Sequence, residues 1–306
     1  MQILIIRPGA IGDTLLTLPV IQALRTKYDQ SHITLVGNAA VLPLAHASSI
    51  VDDIYDYQEV GWSSLFLTES RGDVRLETMV QHTQLAICWL RDPTGIVARN
   101  LKQAGIEKVI VAPGRPDSTT SQAMHITTYL AKTSGIETWQ QPLQEITLSL
   151  PSIIAQEKGR GTVAIHPGSG AIRKCWPIEY FAEVIYYLWQ QDRAVLLLAG
   201  PAEQERLALL CSLLQSYPRI GQCEYLIEAS LLTVAQRLQQ CQCYIGNDTG
   251  LTHLAAMLGL PTVALFGPSD PVLWHPPGPR VNLLHERVLE QLRVETVLAK
   301  LGPLLT

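Results

Sequence analysis

The run from Tyr244 to Ala256, Tyr-Ile-Gly-Asn-Asp-Thr-Gly-Leu-Thr-His-Leu-Ala-Ala, carries an apolar strand pattern into a helix pattern through a Gly-Asn-Asp-Thr-Gly turn. A helix begun there leaves its first backbone N–H groups without carbonyl partners, and the aligned peptide dipoles add partial positive charge. Such an end is a seat for a phosphate or pyrophosphate, with the backbone amides of residues 248–251 as donors. A carboxylate beside an anion seat needs a partner of another kind, and Asp248 suits sugar hydroxyls. His253, one turn into the helix, fits either plain packing or a part in holding the loop.

A second loop of the same kind runs from His166 to Pro177, His-Pro-Gly-Ser-Gly-Ala-Ile-Arg-Lys-Cys-Trp-Pro. Gly168 lets a ligand approach the backbone, Ser169 offers a hydroxyl, and Lys174 with Arg173 supplies positive charge before a helix opened by Pro177. An Arg-Lys pair is also what a solvated loop carries, and His166 and Trp176 suit packing as well as contact. Glu203, in Gly200-Pro201-Ala202-Glu203, could meet a ribose diol or simply complement a helix dipole. Ile227 and Glu228 follow a further strand, where a base pocket would lie, and Gly267-Pro268-Ser269-Asp270-Pro271 reads as a rigid wall.

Near the N-terminus, Arg7-Pro8-Gly9-Ala10-Ile11-Gly12-Asp13 forms a tight turn after the first strand pattern. Gly9, Ile11 and Gly12 shape that loop, and Asp13 falls at the helix start. There it serves equally as an N-cap or as an ionised base acting on an alcohol. The dinucleotide signature G-x-G-x-x-G is missing, as are the P-loop and the nucleophile elbow. No Asp-x-Asp occurs, so no metal is expected to bridge a diphosphate, and charge neutralisation would fall to Lys174, hydroxyls and amides. The six cysteines form no disulfide framework, and Cys241-Gln242-Cys243 lacks a second ligand pair, which leaves buried thiols.

These loops need sheets to hold them. The 306 residues suit two domains, and 47% apolar with 16% charged residues is a globular composition rich in strands buried on both faces. Strand and helix patterns alternate throughout, the signature of α/β folds. Strands are expected at 2–7, 33–36, 85–89, 108–111, 162–166, 194–199, 225–227, 243–246 and 262–266, with helices between. Residues 58–84 show little periodicity and read as a loop. The span 142–161, with two prolines and Lys-Gly-Arg-Gly, reads as the linker. Domains are therefore expected at 1–150 and 151–285, with a terminal helix in 286–306 packing back on the first lobe. Both halves open with strand, Pro-Gly turn and helix.

Net charge −4 argues against a nucleic-acid partner held by phosphate neutralisation. The N-terminus lacks a signal-peptide pattern, and no run reaches the length of a membrane span. The expectation is a cytoplasmic protein, with room for peripheral contact at the inner membrane surface and no obligate protein partner.

Taken together, Gly246-Asn247-Asp248-Thr249-Gly250 with His253-Leu254-Ala255-Ala256, Gly259-Leu260-Pro261-Thr262, Phe266-Gly267-Pro268, His166-Pro167-Gly168-Ser169, Lys174-Cys175-Trp176-Pro177 and the Arg7–Asp13 loop resemble the heptosyltransferases of glycosyltransferase family 9. The resemblance implies a GT-B fold: two Rossmann-like, doubly wound parallel-sheet domains facing across a cleft. It implies inverting, metal-independent transfer from an ADP-sugar, with heptose as the expected sugar, to a glycan or glycolipid acceptor such as lipopolysaccharide. Asp13 matches the family's general base, Lys174 a phosphate-binding lysine, and Asp248 the acid that meets the donor sugar. Thr249, Gly250 and Leu251 match the diphosphate-holding backbone. Another GT-B enzyme, such as a sugar-nucleotide epimerase, would share the phosphate seat without needing Asp13. The remaining reading is a noncatalytic nucleotide-sugar-binding protein, against which the presence of Asp13, Lys174 and Asp248 together argues.

Overall fold

A computed structural model of the chain describes residues 1–68, 74–117, 124–136, 147–150, 161–218 and 221–305. The chain divides into two compact units, Met1–Gln140 and Gln141–Thr306, so the boundary falls before the 150/151 division expected. Most of the 142–161 linker reading lies outside the described residues. At its described part, Leu148 donates its N–H to Met257 O at 2.6 Å, within the second unit.

The first unit runs β1 (Gln2–Ile6), α1 (Ile11–Leu15), α2 (Leu18–Lys27), β2 (His32–Gly37), α3 (Leu42–Ala47), β3 (Asp53–Asp56), α4 (Val60–Ser63), α5 (Val74–Met79), β4 (Leu85–Trp89), α6 (Ile96–Gln103), β5 (Lys108–Ala112) and α7 (Ile126–Thr133). Its sheet is ordered β3-β2-β1-β4-β5, and every pair is parallel. The second unit runs β6 (Val163–His166), α8 (Ile178–Gln190), β7 (Val195–Ala199), α9 (Gln204–Gln215), β8 (Cys223–Ile227), α10 (Leu231–Leu238), β9 (Cys243–Asn247), α11 (Gly250–Met257), β10 (Thr262–Phe266), α12 (Pro271–Trp274), β11 (Val281–His285) and α13 (Val294–Leu301). Its parallel sheet is ordered β11-β10-β9-β6-β7-β8.

Counted within each unit, both orders are 3-2-1-4-5, extended by a sixth strand in the second. This is the doubly wound order whose chain direction reverses between its first and fourth strands, where ligand loops gather at the carboxyl edge. The reversal points are β1/β4 and β6/β9. The motif loops follow β1, β6 and β9, so the topology puts the expected chemistry at those points.

The central strands explain why the sequence settles this way. Leu85–Trp89, Val195–Ala199, Cys243–Asn247 and Thr262–Phe266 are buried along their whole length, as unbroken apolar strands under two helix layers must be. The free thiols Cys241 and Cys243 are buried, as expected, and burial pushes each up to about 12.

Three expectations need correction. The stretch 58–84 is not a plain loop in its described parts: it holds α4, a 3₁₀ turn at Ser64–Phe66 and α5. Trp62 and Leu65 are buried in the first core. Elements this short never complete the repeats that periodicity needs. The helix expected to start at Asp13 starts at Ile11 and is broken at Leu16-Thr17, with Pro19 near the start of α2. Finally, Val294, Val297 and Leu301 of α13 lie in the second unit's core with Phe181, Ile185 and Leu188 of α8. The terminal helix therefore buries its apolar face in the core of its own unit. Trp176, fully buried, ties the segment before α13 by donating its indole N–H to Leu292 O at 2.8 Å.

Candidate functional site

In the second unit, β9 ends at Asn247 and α11 begins at Gly250, with Thr249 as its extended N-cap. Asn247 is buried and binds the neighbouring loop across the β6/β9 reversal point. Its amide donates to Pro167 O at 2.8 Å and Gly168 O at 3.0 Å, and its carbonyl oxygen accepts from Trp176 N–H at 2.9 Å. One side chain thus locks the loop after β6 to the strand before α11. Thr249, Gly250 and Leu251 are half-buried, while Asp248 and Thr252 on either side are buried.

Asp248 gathers the polar groups. Lys174 Nζ lies 2.7 Å from its Oδ2, Ser269 Oγ donates to the same oxygen at 2.5 Å, and His253 Nε2 stands 3.8 Å from Oδ1. Ser169 Oγ donates to the Asp248 carbonyl at 3.5 Å. The ammonium, two hydroxyls and the helix start therefore converge in one place, with Lys174 about a third exposed. Arg173, beside it, points to solvent.

His166 is held on both ring nitrogens. Nε2 meets Glu203 Oε2 at 2.9 Å, and Nδ1 meets Thr249 Oγ1 at 3.3 Å. Both partners are side chains. Glu203 is turned into the protein: the same Oε2 also accepts from Gly200 N–H at 2.7 Å, and the side chain is mostly buried. Burial raises the Glu203 carboxyl. The hydrogen bond and charge of His166, the Gly200 amide and the Arg206 charge outweigh it, so the net shift is downward. Gly168 is required here, because a Cβ would overlap the Glu203 carboxylate. Arg206 donates from Nε to Pro167 O at 2.8 Å and from Nη2 to Trp176 O, bracing the loop from outside.

Ile227 and Glu228 stand at the carboxyl end of edge strand β8, both exposed. Glu228 adopts φ +53° and accepts from Gln204 Nε2 at 2.7 Å. They share the carboxyl edge of the sheet but lie two strands from β6.

In the first unit, Asp13 sits in the first turn of α1, and Ala10 N–H donates to its Oδ2 at 3.1 Å. Asp13 is therefore not the N-cap expected: Ala10 holds that position, and Asp13, two residues into the helix, reaches back to the N-cap amide. The carboxylate has a second partner: Arg7 Nη2 lies 2.9 Å from Oδ1. Gly9, at φ +144°, could not carry a side chain, since a Cβ would sit 2.8 Å from Asp13 Oδ2. Ile11 and Gly12 form the start of α1, and Asn38 Nδ2 clamps the turn by donating to Gly9 O at 3.0 Å.

Ser269, Asn247 and Arg206 were not singled out in the sequence. Nothing local marks them, because each acts on a loop far away in the chain. Among the described residues no group of three or more His, Cys, Asp or Glu side chains could hold a metal ion, and no helix is long and apolar enough to cross a membrane.

Two Rossmann-like parallel-sheet units, one with a lysine–aspartate pair beside the helix start after β9, define a GT-B glycosyltransferase architecture. Residues 97–300 match the model of glycosyltransferase family 9 (heptosyltransferase), and the chain belongs to that family. The match includes the whole Lys174–Asp248 cluster and begins after the Asp13 loop. Among curated relatives, lipopolysaccharide heptosyltransferase 3 of Escherichia coli is 28% identical over 118 residues, 39% of this chain and 34% of that protein. The aligned part thus spans about a third of such a relative's length. Whole-chain similarity is structural. E. coli ADP-heptose lps heptosyltransferase II superposes with a TM-score of 0.74 at 21% identity, covering 100% of this chain and 98% of that one. The family 9 glycosyl transferase of Veillonella parvula DSM 2008 gives 0.80 at 17% identity, covering 99% and 97%.

Proposed function

We propose that this chain transfers a sugar, a heptose, from an ADP-sugar to a saccharide acceptor of lipopolysaccharide or another cell-surface glycan. The observation that carries this reading is the convergence of Lys174, Ser269 and Asp248 on the start of α11. An ammonium beside the first amides of a helix is suited to a diphosphate, and the hydroxyls and carboxylate beside it suit a sugar. Family membership and the likeness to an ADP-heptose heptosyltransferase support the choice of donor.

The reaction is a single displacement with inversion. Asp13 takes the proton of an acceptor hydroxyl, and the oxygen forms a bond to the anomeric carbon. The bond from that carbon to the diphosphate breaks, and its electron pair leaves with the diphosphate. Lys174 and the amides of Thr249, Gly250 and Leu251 stabilise the charge that develops there, the task a divalent ion performs elsewhere. Glu203 and His166 hold the loop that carries Gly168 and Ser169. Ile227 and Glu228 face the nucleoside. The enzyme works in the cytoplasm, where nucleotide-sugars are supplied, with its acceptor at the inner membrane surface.

The test is a thermal-shift series with ADP, UDP and ADP-heptose, since a ligand bound only by the native state raises its stability. A rise with ADP and ADP-heptose and none with UDP is expected. A preference for UDP would contradict the donor assignment.

A further inference from the structure

We propose that Arg7 is the positioning residue that aims Asp13 at the acceptor hydroxyl, a role that rests on the reading of Asp13 as the base. Arg7 directly follows β1, and it is 4% exposed. Its guanidinium spends its donors on three targets: Nη2 on Asp13 Oδ1 at 2.9 Å, Nε on Asp13 O at 3.4 Å, and Nη1 on Trp89 O at 3.3 Å. Trp89 ends β4, so the side chain bridges the β1/β4 reversal point, where ligand loops gather.

The surroundings are shaped for this head group. A Cβ on Gly114, in the loop after β5, would overlap Nη1, so the glycine leaves the space the guanidinium fills. Tyr129 of α7 is the other titratable group that acts on it. Burial pulls the Arg7 cation down from its usual value, with Asp13 and Tyr129 opposing. Arginine nevertheless stays charged at working pH. A desolvated cation is heavily penalised unless a carboxylate meets it in good geometry, and here that carboxylate is Asp13.

The consequence is a fixed carboxylate. Oδ1 is held by Arg7 and Oδ2 by Ala10 N–H at 3.1 Å, which sets both position and plane, while the side chain stays about a third exposed. Each oxygen retains a lone pair for an incoming proton. A loop staple alone would not need the reacting carboxylate as its partner.

The test compares Arg7→Gln, Arg7→Lys, Gly114→Ala and Asp13→Asn by turnover, with ADP affinity and Tm measured alongside. Arg7→Gln is expected to lower kcat about 100-fold, the scale of a misplaced catalytic group, with donor KM unchanged. Arg7→Lys should restore part of the lost kcat but not all of it, since an ammonium can pair with the carboxylate but lacks the fork. Gly114→Ala, which keeps the charge and displaces the head group, should also lower kcat. Wild-type kcat in folded Arg7→Gln overturns the proposal while an inactive Asp13→Asn leaves the base reading standing. Recovery of Tm in Arg7→Lys with no recovery of kcat also overturns it, because that is the mark of a staple. If Arg7→Gln does not fold, wild-type kcat in Gly114→Ala overturns it. Turnover retained by Asp13→Asn removes the base reading, and this proposal with it.

Discussion

Lys174 Nζ stands 2.7 Å from Oδ2 of Asp248, a carboxylate only 7% exposed. Two groups expected to serve different parts of one ligand are joined to each other. An ammonium has three donors, so it can hold Asp248 and a phosphate oxygen together. The pair therefore sets where the lysine points before it meets a phosphate.

Lys174→Ala is expected to weaken ADP binding about 10- to 100-fold, from a lost charged hydrogen bond of about 1.5–3 kcal/mol. It also leaves Asp248 buried with fewer partners, which should lower Tm. Adding Asp248→Asn should recover Tm without recovering affinity, because the two losses have different origins. Calorimetric titration with ADP and a melting curve for each variant separate them. Unchanged ADP affinity in Lys174→Ala would remove the lysine from the donor seat.

Glu203 makes part of the second unit's stability depend on pH. Its carboxyl is held below its ordinary 4.5 in the folded chain, so the unfolded chain binds the proton more readily. The contribution is present at neutral pH and is lost as pH falls below 4.5 toward the lowered folded value. Glu203→Gln should flatten the fall of Tm across that acid range. An identical acid slope in wild type and variant would show that the His166–Glu203 contact carries no such linkage.

Gly9 is fixed by conformation and by crowding together, with φ at +144° and Asp13 Oδ2 within 2.8 Å of a would-be Cβ. Gly9→Ala should cost about 1–3 kcal/mol of stability through backbone strain and lower kcat by pushing the carboxylate aside. Denaturant unfolding and turnover measured on the same preparation give both numbers. A variant with full kcat would mean that the exact place of the carboxylate does not matter.

Leu301 is fully buried among residues of the second core. Leu301→Ala should therefore destabilise by about 2–5 kcal/mol, read by chemical denaturation. A change below 1 kcal/mol, about what an exposed position shows, would mean that α13 is not part of this core.

How much of this was legible depended on how far each feature reaches along the chain. The central strands announced themselves as unbroken apolar runs, because burial on both faces leaves no alternation. The edge strands Asp53–Asp56 and Val281–His285 did not, since Asp53, Asp56, Asn282 and His285 interrupt the apolar pattern at the sheet margins. The loop glycines and Lys174 were visible because turn chemistry is local. Arg7 stood in plain sight in the first loop, but its pairing with Asp13 depends on Trp89 and Gly114, which only the parallel sheet brings alongside. The same holds for Ser269, which reaches Asp248 across β10.

The central claim is sugar transfer driven by Asp13, and Asp13→Ala tests it most directly. Turnover of ADP-heptose with a heptose-deficient lipopolysaccharide acceptor, followed by ADP release and by the mass of the product, should fall by about 10²- to 10⁴-fold, the scale of a lost general base. Affinity for ADP-heptose should stay near wild type. Wild-type turnover in Asp13→Ala, or no transfer by the unaltered chain, would contradict the account.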